Sequence, residues 1–116
     1  MSSEKNAHGK EEILRSSVMH PGTLINYQDG AVVSKEIMKK STGNVTLFAF
    51  DKGQGLSEHT APFDAMVFIL EGEAEISISR KPYRVTNGDM IIMPAGQPHS
   101  LRALTQYKMM LVMIRS

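Results

Sequence analysis

In Glu73-Ala74-Glu75-Ile76-Ser77-Ile78-Ser79, apolar and polar residues alternate strictly. Successive side chains of a strand point to opposite faces, so Ala74, Ile76 and Ile78 make one apolar face of a half-buried strand. From Ala31 onward, short apolar stretches recur between turn signals at roughly 8–12-residue spacing, which predicts a sandwich or barrel of short strands. The expected strands are Ala31–Lys39, Val45–Asp51, Ala65–Glu71, Ala74–Arg80, Tyr83–Val85, Met90–Met93, His99–Leu104 and Tyr107–Arg115. Between them lie Ser41-Thr42-Gly43-Asn44, Gly53-Gln54-Gly55, Glu71-Gly72, Lys81-Pro82, Asn87-Gly88 and Ala95-Gly96-Gln97-Pro98. Asn87-Gly88 predicts a hairpin, because both residues tolerate the positive φ of a tight turn. No long 3.6-residue period competes, and the fold class is all-β.

Two stretches, Ala65–Leu70 and Met109–Ile114, are apolar on both faces. One face belongs inside a barrel; the other needs cover from a second sheet or another subunit, so a homodimer is expected. Residues 1–30 read as an irregular, flexible N-terminal segment and residues 31–116 as the β-domain. Met1 to Glu12 is polar and has little to bury. A short helical turn is expected over Glu11–Ser17, and a second at Pro21, which suits a first helical position ahead of Thr23-Leu24-Ile25.

The chain has 116 residues, enough for one domain with one real core. Its formal net charge of +1, with basic residues scattered rather than clustered, gives no field to recruit nucleic acid or an anionic membrane. There is no cysteine, which excludes disulfides, thiolate metal sites and a cysteine nucleophile. The N-terminus lacks the apolar core of a signal peptide, and no apolar run is long enough to span a bilayer. A cytoplasmic protein without membrane partners is expected. Nine methionines fit adaptable packing in a core or a pliable pocket.

Two segments carry candidate chemistry. One runs from Gly53 through His59, Ala61 and Ala65 to Leu70-Glu71-Gly72; the other comprises Gly88, Pro94, Gly96 and His99. Each places a histidine beside an apolar β-stretch, with Gly and Pro shaping the turn. In this the chain resembles the cupin superfamily over roughly residues 31–116. The family's second motif (Gly, five residues, Pro-x-Gly, two residues, His, three residues, Asn) is met at Gly88, Pro94, Gly96 and His99. Its first motif (Gly, five residues, His-x-His, three or four residues, Glu, six residues, Gly) is met at Gly53, His59 and Gly72. The resemblance implies a double-stranded β-helix, a jelly-roll barrel.

The sequence departs from the family where its metal ligands would fall. Ala61 replaces the second His, Ala65 the Glu, and Ala103 the closing Asn. The family's metal-holding members use three His and one Glu, and only His59 and His99 remain. In an unbroken register His59, Ala61 and Ala65 address the interior together. Two imidazoles hold Zn, Fe, Mn or Ni only if water, a ligand or a carboxylate completes the shell. Strict alternation turns Glu58 and Asp64 outward, but a break at Pro62 would bring Asp64 in, giving a two-His, one-carboxylate set. Glu58 is the other candidate, as a partner of a His ring.

The expected function is a small single-domain cupin that binds a small molecule in its cavity. His59 and His99 line it, Ala61 and Ala65 open room, and Phe48, Phe50, Val67, Ile69, Met90, Ile92 and Leu101 form the apolar wall. The alternative is a metal-dependent enzyme of dioxygenase, isomerase or decarboxylase type acting on a small organic substrate. A third reading is a barrel kept for protein contact through its two-faced apolar strands. The Gly53-Gln54-Gly55 run lacks the third glycine of a dinucleotide loop. Ser57 and Ser100 adjoin no nucleophile elbow, and His8 and His20 fall outside the barrel.

Overall fold

The structure is a computed structural model and describes residues 15–115. The segment Met1–Glu12, His8 and most of the turn expected at Glu11–Ser17 lie outside the described residues. Nine strands are found among residues 15–115: β1 (Val32–Lys40), β2 (Gly43–Phe50), β3 (Gly55–His59), β4 (Asp64–Glu71), β5 (Glu73–Ile78), β6 (Lys81–Thr86), β7 (Met90–Met93), β8 (His99–Ala103) and β9 (Tyr107–Ile114). They form a five-stranded sheet ordered β1-β2-β9-β4-β7 and a four-stranded sheet ordered β3-β8-β5-β6, all pairs antiparallel. The fold is the all-β jelly roll that the alternation and the motifs predict. No helix among the described residues is long and apolar enough to cross a membrane.

The main core lies between the sheets. The five-stranded sheet contributes Phe50, Val67, Ile69, Tyr107 and Met109; the four-stranded sheet contributes Ala74, Ile76, Leu101 and Ala103. β5 shows the alternation in its purest form, with Ala74, Ile76 and Ile78 buried and Glu73, Glu75 and Ser77 half-buried between them.

Three local expectations are corrected. β3 is absent from the expected strands because Gly55-Leu56-Ser57-Glu58-His59 has one large apolar residue; it is an edge strand whose Leu56 packs against the core. Lys81-Pro82 belongs to β6, an edge strand where the missing proline N–H costs nothing. The turn lies just before it, at Ser79 and Arg80, with φ of 50° and 66°. Asn87-Gly88 is no hairpin turn either, because it joins β6 of one sheet to β7 of the other. Asp89 anchors it, accepting the Thr86 N–H at 2.8 Å while its own N–H donates to the Thr86 carbonyl at 2.8 Å.

The outer face of the five-stranded sheet gains part of its cover from the chain itself. After a 3-10 turn at Pro21–Thr23, Ile25 is buried against Leu47 and Ala49, with Leu24 and Tyr27 packed beside it. The Lys108 ammonium, almost fully buried, donates to the Gly22 carbonyl at 2.6 Å and lies 5.0 Å over the Tyr27 ring. The Tyr27 hydroxyl donates to Glu71 at 2.7 Å. Burial and that carboxylate push the Tyr27 phenol above its ordinary range. Apolar contact and paired charge thus strap residues 22–27 across β2, β4 and β9.

Candidate functional site

β3 and β8 place the two histidines. Leu56 pairs with Leu101 and His59 with His99, so Ser57 and Glu58 together oppose the single residue Ser100. This two-against-one bulge resets the parity of β3. Leu56 and His59 are three apart and would face opposite ways in a regular strand; the bulge turns both inward. The register does break, then, but before His59 rather than at Pro62.

Each imidazole is oriented by a carbonyl two residues earlier. His59 Nδ1 lies 2.8 Å from the Ser57 carbonyl, and His99 Nδ1 lies 3.2 Å from the Gln97 carbonyl. A carbonyl oxygen only accepts, so each Nδ1 carries the proton and each neutral ring presents a bare Nε2. The two Nε2 atoms face each other at 3.1 Å, with the rings tilted at 71°. Two lone pairs at that distance repel. The pair is satisfied only by a cation between them or by one proton that makes one nitrogen a donor. His99 is buried, with 5% of its surface exposed, while His59 is exposed.

The loops behind the histidines are fastened to each other. The Gly96 N–H donates to the Ala61 carbonyl at 2.8 Å, and the Ala95 N–H donates to the Asp64 carboxylate at 2.8 Å. Gly96 turns with φ of +76°, a conformation that L side chains rarely adopt. The Ser79 N–H donates to the Pro98 carbonyl at 2.8 Å, tying the second loop to the turn between β5 and β6 as well.

The carboxylates expected to complete a metal shell are engaged elsewhere. Asp64 is the pin just described, and Glu58 faces Arg80 at 3.6 Å in an exposed pair of little energetic weight. Among the described residues no group of three or more His, Cys, Asp or Glu could hold a metal ion. The pocket wall is also revised. Met90 and Ile92 are 57% and 54% exposed and point away from the barrel; Ile91 and Met93 are the inward pair. Phe50, Val67 and Ile69 are fully buried in packed core, Phe48 packs at its margin, and Ala65 and Leu101 are nearly closed off. His20 lies outside the barrel, its carbonyl accepting from Thr23. The carbonyls of Ser57 and Gln97 are the functional groups that sequence reasoning missed; their shared signal is the spacing to a histidine two residues on.

A cupin-domain family model matches residues 46–115. The chain belongs to the cupin family. This cupin is similar to a conserved protein of unknown function from Streptococcus pyogenes, at 36% identity over 88% of this chain and 90% of that one, with a TM-score of 0.84. It also resembles a cupin-superfamily protein from Desulfitobacterium hafniense in fold (22% identity, 88% of this chain and 94% of that one, TM-score 0.83). A curated relative is an uncharacterised protein of Streptomyces coelicolor, 26% identical over 67% of this chain and 72% of its own length.

Burial holds His99 below the ordinary histidine range, a charged His59 lowers it further, and the Gln97 carbonyl opposes both. The folded cupin therefore resists a proton on His99 that the unfolded chain takes up near the ordinary value of 6.5. Stability from this group is complete above that pH and declines as pH falls below it. Denaturant unfolding at a series of pH values is expected to show that decline, and His99→Gln should flatten it. An equal slope in wild type and variant would refute the assignment.

Proposed function

We propose that this cupin binds a small ligand at the rim of its barrel through His59 and His99. Their two Nε2 atoms provide a seat for one divalent transition metal, of the Zn, Fe, Mn or Ni class. The observation that carries the reading is the pair of bare nitrogens facing each other at 3.1 Å, each fixed by a backbone carbonyl. Nitrogens ligating one zinc-like ion at about 2.0–2.1 Å lie roughly 3.3 Å apart at a tetrahedral angle, so the spacing fits. The protein offers two donors, which leaves the remaining positions to water or to ligand oxygen and nitrogen atoms. A bound metal supplies a Lewis acid that polarises such a ligand.

The residues do the rest. The Ser57 and Gln97 carbonyls hold both tautomers, the work of outer-shell partners in metal sites generally. Low basicity at His99 keeps its lone pair free of protons into mildly acidic solution. Ala61 and Ala65, standing where other cupins carry ligands, offer methyl groups in place of donors, so the shell is not filled from the protein.

The test is calorimetric titration of chelator-treated full-length protein with Zn, Mn, Ni and ferrous iron. One ion per chain is expected, and His99→Ala should weaken binding roughly 100-fold or more, beyond the range seen for losing an outer-shell partner. His59→Ala should do the same while leaving the far-ultraviolet spectrum unchanged, because its side chain is exposed. No uptake of any ion, or uptake indifferent to both substitutions, would overturn the reading.

A further inference from the structure

A two-residue loop joins β5 to β6. Ile78 pairs with Lys81, and only Ser79 and Arg80 lie between them, with φ of 50° and 66°. A two-residue hairpin loop with both φ positive matches the right-handed twist of its strands, and it favours Asn-Gly or Gly-Gly. Here both places hold residues with a Cβ, which crowds the following carbonyl oxygen in the left-handed region. Elsewhere in the barrel the chain reserves this conformation for glycine, at Gly53, Gly72, Gly88 and Gly96. Strain of this kind persists where neighbouring contacts over-determine it, and it clusters at functional sites.

The turn touches both segments that carry the histidines. Ser79 grips the loop before His99 twice: its N–H donates to the Pro98 carbonyl at 2.8 Å, and its hydroxyl donates to the Gln97 side-chain oxygen at 3.1 Å. Gln97 is the residue whose own carbonyl faces His99 Nδ1. Arg80 faces the Glu58 carboxylate at 3.6 Å. Glu58 sits in the β3 bulge between His59 and Ser57, whose carbonyl orients the His59 ring. Glycines in the turn would relax the backbone and keep its N–H bond to Pro98. They would leave the Gln97 and Glu58 side chains without these partners.

We infer that Ser79 and Arg80 are positioning residues for the histidine pair. The strained turn is kept because its side chains hold the Gln97 and Glu58 segments, and through them the two imidazoles, in one fixed relation. Each contact adds little stability, since both lie at the surface. Their effect is on orientation. A single turn that bridges the β3 bulge and the loop into β8 fixes one against the other, and that relation sets the 3.1 Å between the Nε2 atoms. The role serves the metal seat proposed above, whereas the orientation of the rings can be read without metal.

Ser79→Gly combined with Arg80→Gly, made in the full chain, separates orientation from folding. The melting temperature of the double variant is expected to hold or rise, because the left-handed cost is gone. Calorimetric titration with zinc alone is expected to show binding roughly 10-fold weaker than wild type, the low end for loss of an outer-shell partner. Arg80→Lys alone, which keeps a cation facing Glu58, should bind zinc as wild type does. A turn that serves only the fold would leave zinc affinity unmoved. Metal-free protein at pH 8 gives a second readout. Proton–nitrogen correlation spectra are expected to show His99 as a single Nδ1–H tautomer in wild type and as a mixture with the Nε2–H form in the double variant. Zinc affinity and tautomer both unchanged in the double variant would overturn the inference and leave the metal reading intact. No zinc uptake by wild type, with mixed tautomers in the variant alone, would remove the metal and support the positioning role. A double variant that melts well below wild type would show that the turn is not strained, and the assignment would fall with it.

Discussion

Tyr107→Ala is expected to destabilise the fold by about 3–5 kcal/mol, the range for removing a large aromatic side chain from a packed core. Tyr107 is fully buried where β9 enters the barrel. Its ring stacks on Phe50 with centroids 4.4 Å apart and planes inclined by 9°. Domain stabilities of about 5–15 kcal/mol make such a loss a large part of the total. Tyr107→Phe should behave in the opposite way. The hydroxyl is buried without a hydrogen-bond partner among the described residues, and burial pushes the phenol well above its ordinary range. Removing an unsatisfied polar group while keeping the ring should be neutral or stabilising by about 1 kcal/mol. Urea denaturation of both variants separates stack from hydroxyl. A Phe variant weaker than wild type by more than about 1 kcal/mol would mean the hydroxyl has a partner after all.

The second large effect is expected at Gly72, where the chain leaves β4 in one sheet and enters β5 in the other. Its φ is +82°, and a Cβ there would collide with the Gln106 carbonyl oxygen and lie 2.8 Å from Tyr107 Cα and Cβ. Backbone cannot yield as the tip of a flexible side chain can. Gly72→Ala combines the cost of a left-handed conformation with that of overpacking, about 2–5 kcal/mol together. Gly53 is the control: its φ is +83°, but a Cβ would meet nothing within 4 Å. Gly53→Ala should cost only the conformational part, about 1–2 kcal/mol. Equal melting temperatures for the two variants would remove the steric half of the argument.

Every strand but β3 was legible in the sequence as a strand, but the direction of its side chains was legible only where one face is wet. β5 could be read residue by residue because Glu73, Glu75 and Ser77 mark its outer side. β7 is Met90-Ile91-Ile92-Met93, four apolar residues with no alternation, so nothing local said which pair faces in. Neighbouring strands decide it, through the pairing of Met93 with Ala65 and of Ile92 with Met66. The cover over Leu47 and Ala49 was hidden for a related reason. Leu24, Ile25 and Tyr27 form no periodic element, and only their packing shows that the chain supplies part of the layer itself.

At the site, motif spacing pointed to His59 and His99, which pair across β3 and β8. Ring orientation was beyond reach, because it depends on the Ser57 and Gln97 carbonyls and on a bulge that no residue type announces. Asp64 has the chemistry of a ligand and the position of a backbone pin. Its carboxylate accepts the Ala95 N–H, and that contact exists only once β4 and the second loop have come together.

The strand order of the larger sheet bears on how the protein is born. β9 lies between β2 and β4, although it is synthesised after every other strand. Until it emerges, the β1-β2 hairpin and the β4-β7 pair are separate pieces, each with an unpaired edge rich in apolar side chains. Before that point the chain can assemble only fragments, and closure of the sheet must wait for β9 to slot between them. Such late, long-range pairing is slow and leaves sticky edges exposed. Overproduction at low temperature, where synthesis slows, should favour native yield more for this topology than for a meander whose strands pair in order of appearance.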